Sequence, residues 1–352
     1  RLQDFLSAIQ VWPNVVVLLD ENFQIEWCNL TVAFQLGIEP ERDLAQRIGN
    51  LVRDPIFSAY MMISDVAEPI VIEGRGKNPN IPLRISIQRH SYGEGKQLLI
   101  TRDVTVVEQA DAMRRDFVAN VSHEIRTPLT VLAGFVETLQ TLKLTTEEQD
   151  KYLALMASQA HRMQSLVDDL LTLSRLEGSP IPGFTNSIVL SKLVEACQSE
   201  SQQLSKLLFQ EKISQVIVFE TDPVIQNYLL MGEPRELQSA LSNLVSNAVR
   251  YTPQGGRIEV HTFLSADGNL NLQVKDTGPG IAPEHLPRIT ERFYRVDRSR
   301  SRESGGTGLG LAIVKHVMQR HGGQLQITSI AGQGSCFNLV FPPTRWKQYV
   351  AL

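Results

Sequence analysis

Three cysteines in 352 residues, Cys28, Cys197 and Cys336, lie far apart and form no Cys-x-x-Cys pair. That scarcity excludes a disulfide framework, offers no zinc-ligand spacing, and suits a reducing compartment. No run of about 18 apolar residues occurs, so nothing reads as a membrane-spanning helix, and no signal-peptide pattern opens the chain. The first residue is Arg1 rather than methionine, which leaves room for a membrane anchor in a segment upstream of this chain. A formal net charge of -4 supplies no basic field, so nucleic acid is not expected as a partner. Internal repeats and low-complexity tracts are missing too. What is present is globular material: 42% hydrophobic and 20% charged residues, in a chain long enough for two or three domains.

Three stretches follow different patterns. Residues 5–104 mix short β-like runs with turns: "NVVVLLDENFQIEWCN" reads as strand, turn, strand, and "LRISIQRHSYGEGKQLLITRDVT" alternates on both sides of a Gly-Glu-Gly turn. With helical fragments between them, they make one α+β domain over 1–104. Residues 105–177 turn to helical spacing. Val118, Val121, Ile125, Leu132 and Leu139 form one apolar series, and Leu153, Met156, Met163, Leu166, Leu170 and Leu173 a second. "LKLTTEEQD" separates them and offers Thr145 or Thr146 as an N-cap, so the segment predicts an antiparallel helical hairpin. Two helices leave an apolar face uncovered, and a homodimer closing a four-helix bundle would cover it. "EGSPIPGFTNS" has linker composition, placing a linker at 178–187. From 188 to 352, helical segments alternate with strand-like runs, which predicts an α/β sandwich with helices on one face of a mixed sheet.

Chemistry concentrates in the last stretch. In "LSNLVSNAVRYTP", Asn243 and Asn247 share one face of an otherwise apolar helix. Alone, such a pair is better read as a helix cap or a solvated stripe. "DTGPGI" (276–281) places an acid and two glycines after a strand, and "GGTGLGLAIV" (305–314) is a glycine loop running into a helix. Such a loop presents unobstructed backbone N–H groups and the positive end of a helix dipole to phosphate. A buried carboxylate can accept a purine's amino hydrogens, and an amide oxygen is a hard ligand for Mg²⁺. The polar segment "ERFYRVDRSRSRESGG" reads either as a mobile lid, with Arg298, Arg300 and Arg302 toward phosphate, or as a solvated charged loop.

Taken in this order, the three loops resemble the Bergerat-type ATP-binding fold of sensor histidine kinases, the ninety-kilodalton heat-shock chaperones, gyrase B and the MutL ATPases. The resemblance implies ATP and Mg²⁺ as cofactors, with Asn247 on the metal and Asp276 on adenine. It also implies a nucleotide lining of Asn243, Arg250, Tyr251, Gly278, Gly280, Ile281, Arg298, Gly306, Thr307, Gly308, Leu309 and Gly310. The hydrolytic members carry a glutamate base four positions before the Mg²⁺ asparagine. Here that position is Asn243, which cannot take a proton, so ATP should wait for another acceptor.

"HEIRTP" supplies one. It resembles the phospho-acceptor box of sensor histidine kinases, which implies phosphorylation of His123 with Glu124 as its base and Thr127 orienting water for phosphatase action on a partner. Pro128 removes a helical N–H and opposes the Glu124 carbonyl, so a bend is expected there at a cost of about 3 kcal/mol. The other histidines, His90, His161, His261, His285, His316 and His321, have no such surroundings and read as packing or surface residues.

Residues 5–104 resemble a PAS sensor domain ending in "TRDVT", without the sequence features of a flavin or haem site. The expected fold is therefore multidomain α+β: a PAS-like sensor domain, a two-helix hairpin forming a dimeric four-helix bundle, and an α/β-sandwich Bergerat domain. "MRRDFVANVSHEIRTPLT" resembles the phosphate-regulon branch of the sensor histidine kinases. That implies a PhoB-like response regulator and phosphate-transport regulatory proteins as partners, and a cytoplasmic portion of a bacterial inner-membrane protein. Two other outcomes fit the ATP motifs alone, a hydrolytic ATPase clamp and a non-catalytic nucleotide-binding scaffold.

Overall fold

The computed structural model describes residues 2–63, 68–76, 82–209, 215–296 and 306–349. The chain divides into two compact units, Arg1–Ala119 and Asn120–Leu352.

In the first unit, α1 (Leu2–Gln10) precedes β1 (Val16–Leu19) and β2 (Ile25–Cys28). Short helices α2 (Val32–Gln35), α3 (Pro40–Asp43), α4 (Ile48–Leu51) and α5 (Pro55–Met62) follow, then β3 (Ile70–Gly74), β4 (Leu83–Tyr92) and β5 (Lys96–Asp103). The sheet runs β2-β1-β5-β4-β3, with every described pairing antiparallel. Alternation along β4 and β5 puts Ile85, Ile87 and Leu99 inside with Val17, Leu19, Phe57 and Ile72, the core expected of a PAS-like fold. Arg89 also lies on this inner side. It is only 6% exposed and donates to the carbonyls of Met61 and Ile63, where α5 ends.

Helix α6 (Thr105–Thr141) is unbroken across Pro128. The bend anticipated from the proline does not interrupt the helix. Pro128 is buried, and Thr127 and Thr130 each donate back to the carbonyl four residues earlier, His123 at 3.1 Å and Arg126 at 3.0 Å. Helix α7 (Thr146–Gly178) starts at Thr145, whose side chain accepts from Glu148 N–H while the Glu148 carboxylate takes the Thr145 N–H. This capping box settles the choice between the two threonines.

The remaining elements are β6 (Ser187–Val189), α8 (Leu190–Phe209), β7 (Val216–Thr221), β8 (Tyr228–Met231), α9 (Pro234–Tyr251), β9 (Arg257–Leu264), β10 (Leu270–Asp276), α10 (Gly310–Arg320), β11 (Gln324–Ile330), β12 (Gly334–Phe341) and β13 (Trp346–Gln348). The main sheet runs β11-β12-β10-β9-β7 and is mixed: β7 pairs with β9 in parallel, the rest antiparallel. Leu237, Leu241, Leu244 and Val245 of α9 and Ile313, Val314 and Val317 of α10 bury their apolar faces with Ile258, Val260, Leu272 and Val274 of the sheet. A small second sheet, β13-β8-β6, is made of strands too short to stand out in the sequence.

Candidate active site

Asp276 ends β10 and is 7% exposed. Burial pushes its carboxyl above the ordinary range, while backbone N–H groups of Gly278 and Ser335 pull it back down, the first at 2.8 Å from Oδ1. The carboxylate keeps acceptor capacity and, among the described residues, has no salt-bridge partner, so a donor brought by a ligand would find a place. Gly278 is required here because a Cβ would stand 2.7 Å from Asp276 Oδ1 and 3.1 Å from the Tyr251 carbonyl. Gly280, at φ +67°, leaves no room for a Cβ beside the Ile330 carbonyl. Ile281 then donates its N–H to Ser329 Oγ at 2.8 Å, fixing the loop to β11.

Opposite this loop stands α9. Asn243 Nδ2 donates to the Ser239 carbonyl at 2.9 Å, turning Oδ1 toward α10, where a Cβ on Gly310 would lie only 2.5 Å from it. A bare glycine therefore lets the glycine loop approach α9. Asn247 follows one turn later, half-buried, and among the described residues no hydrogen bond engages its amide. Arg250 is half-buried and Tyr251, at the end of α9, is 44% exposed. The Tyr251 hydroxyl lies 3.6 Å from where a Cβ on Gly306 would stand. Gly308, at φ +75°, has its carbonyl bonded by the Phe293 N–H at 2.9 Å, and buried Leu309 caps α10 without a side-chain bond. Asn243, Asn247, Asp276, Gly278, Gly280, Gly306, Thr307, Gly308, Leu309 and Gly310 thus belong to one region built from β10, α9 and α10. Arg298, Arg300 and Arg302 lie outside the described residues.

On the hairpin, the His123 side chain belongs to an exposed residue of α6. Thr127 spends its hydroxyl proton on the His123 carbonyl and leaves its lone pairs to solvent. Glu124 is not free: Arg162 of α7 donates to its Oε2 at 3.1 Å, and Arg295 Nη2 lies 3.8 Å from the same oxygen. Arg295 precedes the glycine loop in sequence, so the region of that loop reaches the neighbour of His123. A second bond across the same boundary joins Thr307 to Asp169 of α7 at 2.6 Å.

The sequence reading missed Arg162, Asp169 and Arg295. Asp169 carried a signal, an acid set between the apolar positions Leu166, Leu170 and Leu173. The segment 178–187 is held in place: Arg320 donates to the carbonyls of Ser179 and Pro180 at 2.8 Å and to that of Leu176 in α7 at 2.7 Å, and Arg345 to those of Pro182 and Gly183 at 3.1 Å.

Residues 113–179 match the family described as His Kinase A (phospho-acceptor) domain, and residues 232–345 match Histidine kinase-, DNA gyrase B-, and HSP90-like ATPase. The chain is 42% identical over 347 residues to the phosphate regulon sensor protein PhoR of Pseudomonas aeruginosa, covering 98% of this chain and 75% of that protein. This chain is a PhoR-like sensor histidine kinase. The PhoR of Haemophilus influenzae is 30% identical over 341 residues, 97% of this chain and 76% of that protein. The sensor-like histidine kinase SenX3 of Mycolicibacterium smegmatis is 36% identical over 307 residues, 83% of this chain and 77% of that protein. In fold, the chain is similar to the crystal structure of histidine kinase ThkA in complex with response regulator TrrA, with a TM-score of 0.52, 20% identity, and coverage of 94% of this chain and 96% of that one. As a PhoR-like kinase it is an ATP-binding protein-histidine kinase of a two-component system. Among the described residues no helix is long and apolar enough to cross a membrane.

Proposed function

We propose that this kinase transfers the γ-phosphoryl group of ATP to His123 and then to an aspartate of a PhoB-like response regulator in phosphate-starvation signalling. Asp276 receives the adenine amino group. Gly278, Gly280, Ile281, Gly306, Gly308, Leu309 and Gly310 line the space for the nucleotide, with Asn243, Arg250, Tyr251, Arg298 and Thr307 around it. The donor set suits Mg²⁺ through the Asn247 amide oxygen, and the metal would neutralise phosphate charge when bound. Glu124 relieves the imidazole of its proton once Arg162 and Arg295 let its carboxylate turn, and Thr127 orients water in the reverse, phosphatase direction.

In this reading residues 1–104 sense, 105–177 dimerise and carry the phosphoryl group, 178–187 connect, and 188–352 bind ATP. The chain acts as a homodimer. A segment outside it would tether the protein to the inner membrane, and phosphate-transport regulatory proteins would address the sensor part. The observation that carries the reading is the approach of Arg295 to Glu124, which brings the nucleotide region beside an exposed His123.

Incubation with γ-labelled ATP and Mg²⁺ tests it. Acid-labile, base-stable label should appear and vanish in His123→Gln. Label that survives that substitution, or that is base-labile, would refute the proposal. Steady phosphate release without any protein partner would favour a hydrolytic clamp, against which Asn243 speaks because an amide cannot serve as general base.

A further inference from the structure

The glycine loop is already engaged by a carboxylate of the chain itself. Asp169 sits on α7 between Leu166 and Leu173, which are 4% and 1% exposed. Its Oδ2 accepts the Thr307 hydroxyl proton at 2.6 Å. The same hydroxyl oxygen accepts the Leu309 N–H at 3.2 Å, at the start of α10. Thr307 therefore gives its one proton to Asp169 and a lone pair to the helix N-terminus. Burial raises the Asp169 carboxyl above its ordinary range, the Thr307 bond opposes this, Asp168 adds to it, and Arg250 of α9 opposes it again. A hydroxyl, a guanidinium and a helix N-terminus are the donors that an anionic ligand of this loop would use.

We propose that Asp169 is an internal stand-in for a nucleotide phosphate: it occupies the Thr307 hydroxyl and has to leave before ATP can use that donor. The inference rests on the assignment of Thr307 and the glycine loop to the nucleotide. One hydroxyl proton cannot serve two acceptors, and a carboxylate beside a phosphate adds like-charge repulsion, so the two occupancies exclude each other. The clasp thereby lowers apparent ATP affinity and couples nucleotide arrival to release of α7. The same parting of α7 and the glycine loop would draw Arg295 away from Glu124, now 3.8 Å apart, freeing the proposed base of one of its two guanidinium neighbours.

The test is calorimetric titration of the full chain with ATP and, separately, adenosine, at fixed Mg²⁺. Asp169→Asn keeps the side-chain size and removes the charge; Asp169→Ser shortens it as well, and melting curves verify that each variant is folded. Both variants should bind ATP about tenfold more tightly, with adenosine affinity unchanged, because only the phosphates compete with the carboxylate. Asn247→Ala and Gly310→Ala on the same chain report on the site. If neither weakens ATP binding, the nucleotide assignment fails and the clasp with it. If both weaken it while the two Asp169 variants bind ATP as the wild type does, the site stands and the clasp is overturned. Equal tightening toward adenosine and ATP would overturn it as well, since general loosening would explain that result.

Discussion

His321 shows how a residue with no catalytic surroundings can still set a pH limit. It is fully buried at the end of α10, with Nδ1 2.8 Å from the Val317 carbonyl and Nε2 accepting the Glu233 N–H at 3.2 Å. One nitrogen donates and the other accepts, which only the neutral ring can do. Burial pushes its pKa below the ordinary histidine value, helped by Arg345 and Arg320 and opposed by the Val317 bond and Glu236. A depressed histidine contributes stability above the unfolded value of about 6.5 and loses it as pH falls through the folded value. Between pH 7.5 and 5.5, the unit containing 120–352 should lose stability more steeply than in His321→Gln, by up to about 1.4 kcal/mol per pH unit. Parallel melting-temperature profiles for the two proteins would exclude this role. The sequence left His321 among packing or surface residues and could go no further, because Glu233 lies 88 positions away and contributes only its backbone. Asn243 and Gly310 were legible one at a time, but the close approach that makes the glycine necessary belongs to the folded pair.

At the scale of elements, patterns that repeat within one segment were legible and those joining distant segments were not. The hairpin, its cap at Thr145 and the alternation of helices with strands follow from local periodicity and turn chemistry. The segment after α7 does not. Its glycine, serine and prolines suggest slack chain, yet Arg320 and Arg345 collect its carbonyls, and Arg345 also lies 4.3 Å over the Phe184 ring. Carbonyls are the same in every residue, so composition cannot announce that they are bound. Arg320 also pairs with Glu236 at 3.0 Å, with side-chain exposures of 10% and 16%. Removing it leaves a nearly buried carboxylate without its guanidinium partner and three carbonyls without that donor. Arg320→Ala should therefore cost about 2–4 kcal/mol, read as a lower melting transition of the unit containing 120–352. A shift within about 1 °C would mean that the linker carbonyls find water at no cost.

For the whole molecule, the decisive surface is the side of the hairpin that its own packing leaves bare. Val121, Ile125, Pro128, Leu132 and Phe135 on α6 and Tyr152, Met156, Met163, Leu166 and Leu170 on α7 are half-buried or buried, as a two-helix seam requires. A second series remains outside: Leu129 at 54%, Val136 at 39%, Leu153 at 53%, Val167 at 43% and Leu171 at 49%. Spacings of 7 within α6 and of 14 and 4 within α7 keep each set on one helix face, so both form stripes rather than scattered residues. Apolar side chains buried between two hairpins contribute about 25 cal/mol per Å², and a four-helix bundle is the closed arrangement that buries both stripes at once. Lysine at two such positions has to dehydrate its charge at the new seam, so Val136→Lys with Leu153→Lys should yield monomers in sedimentation at concentrations where the parent is dimeric. The secondary structure should persist, because both positions face solvent in the isolated chain. A double variant that still sediments as a dimer would move the assembly surface off this face of the hairpin.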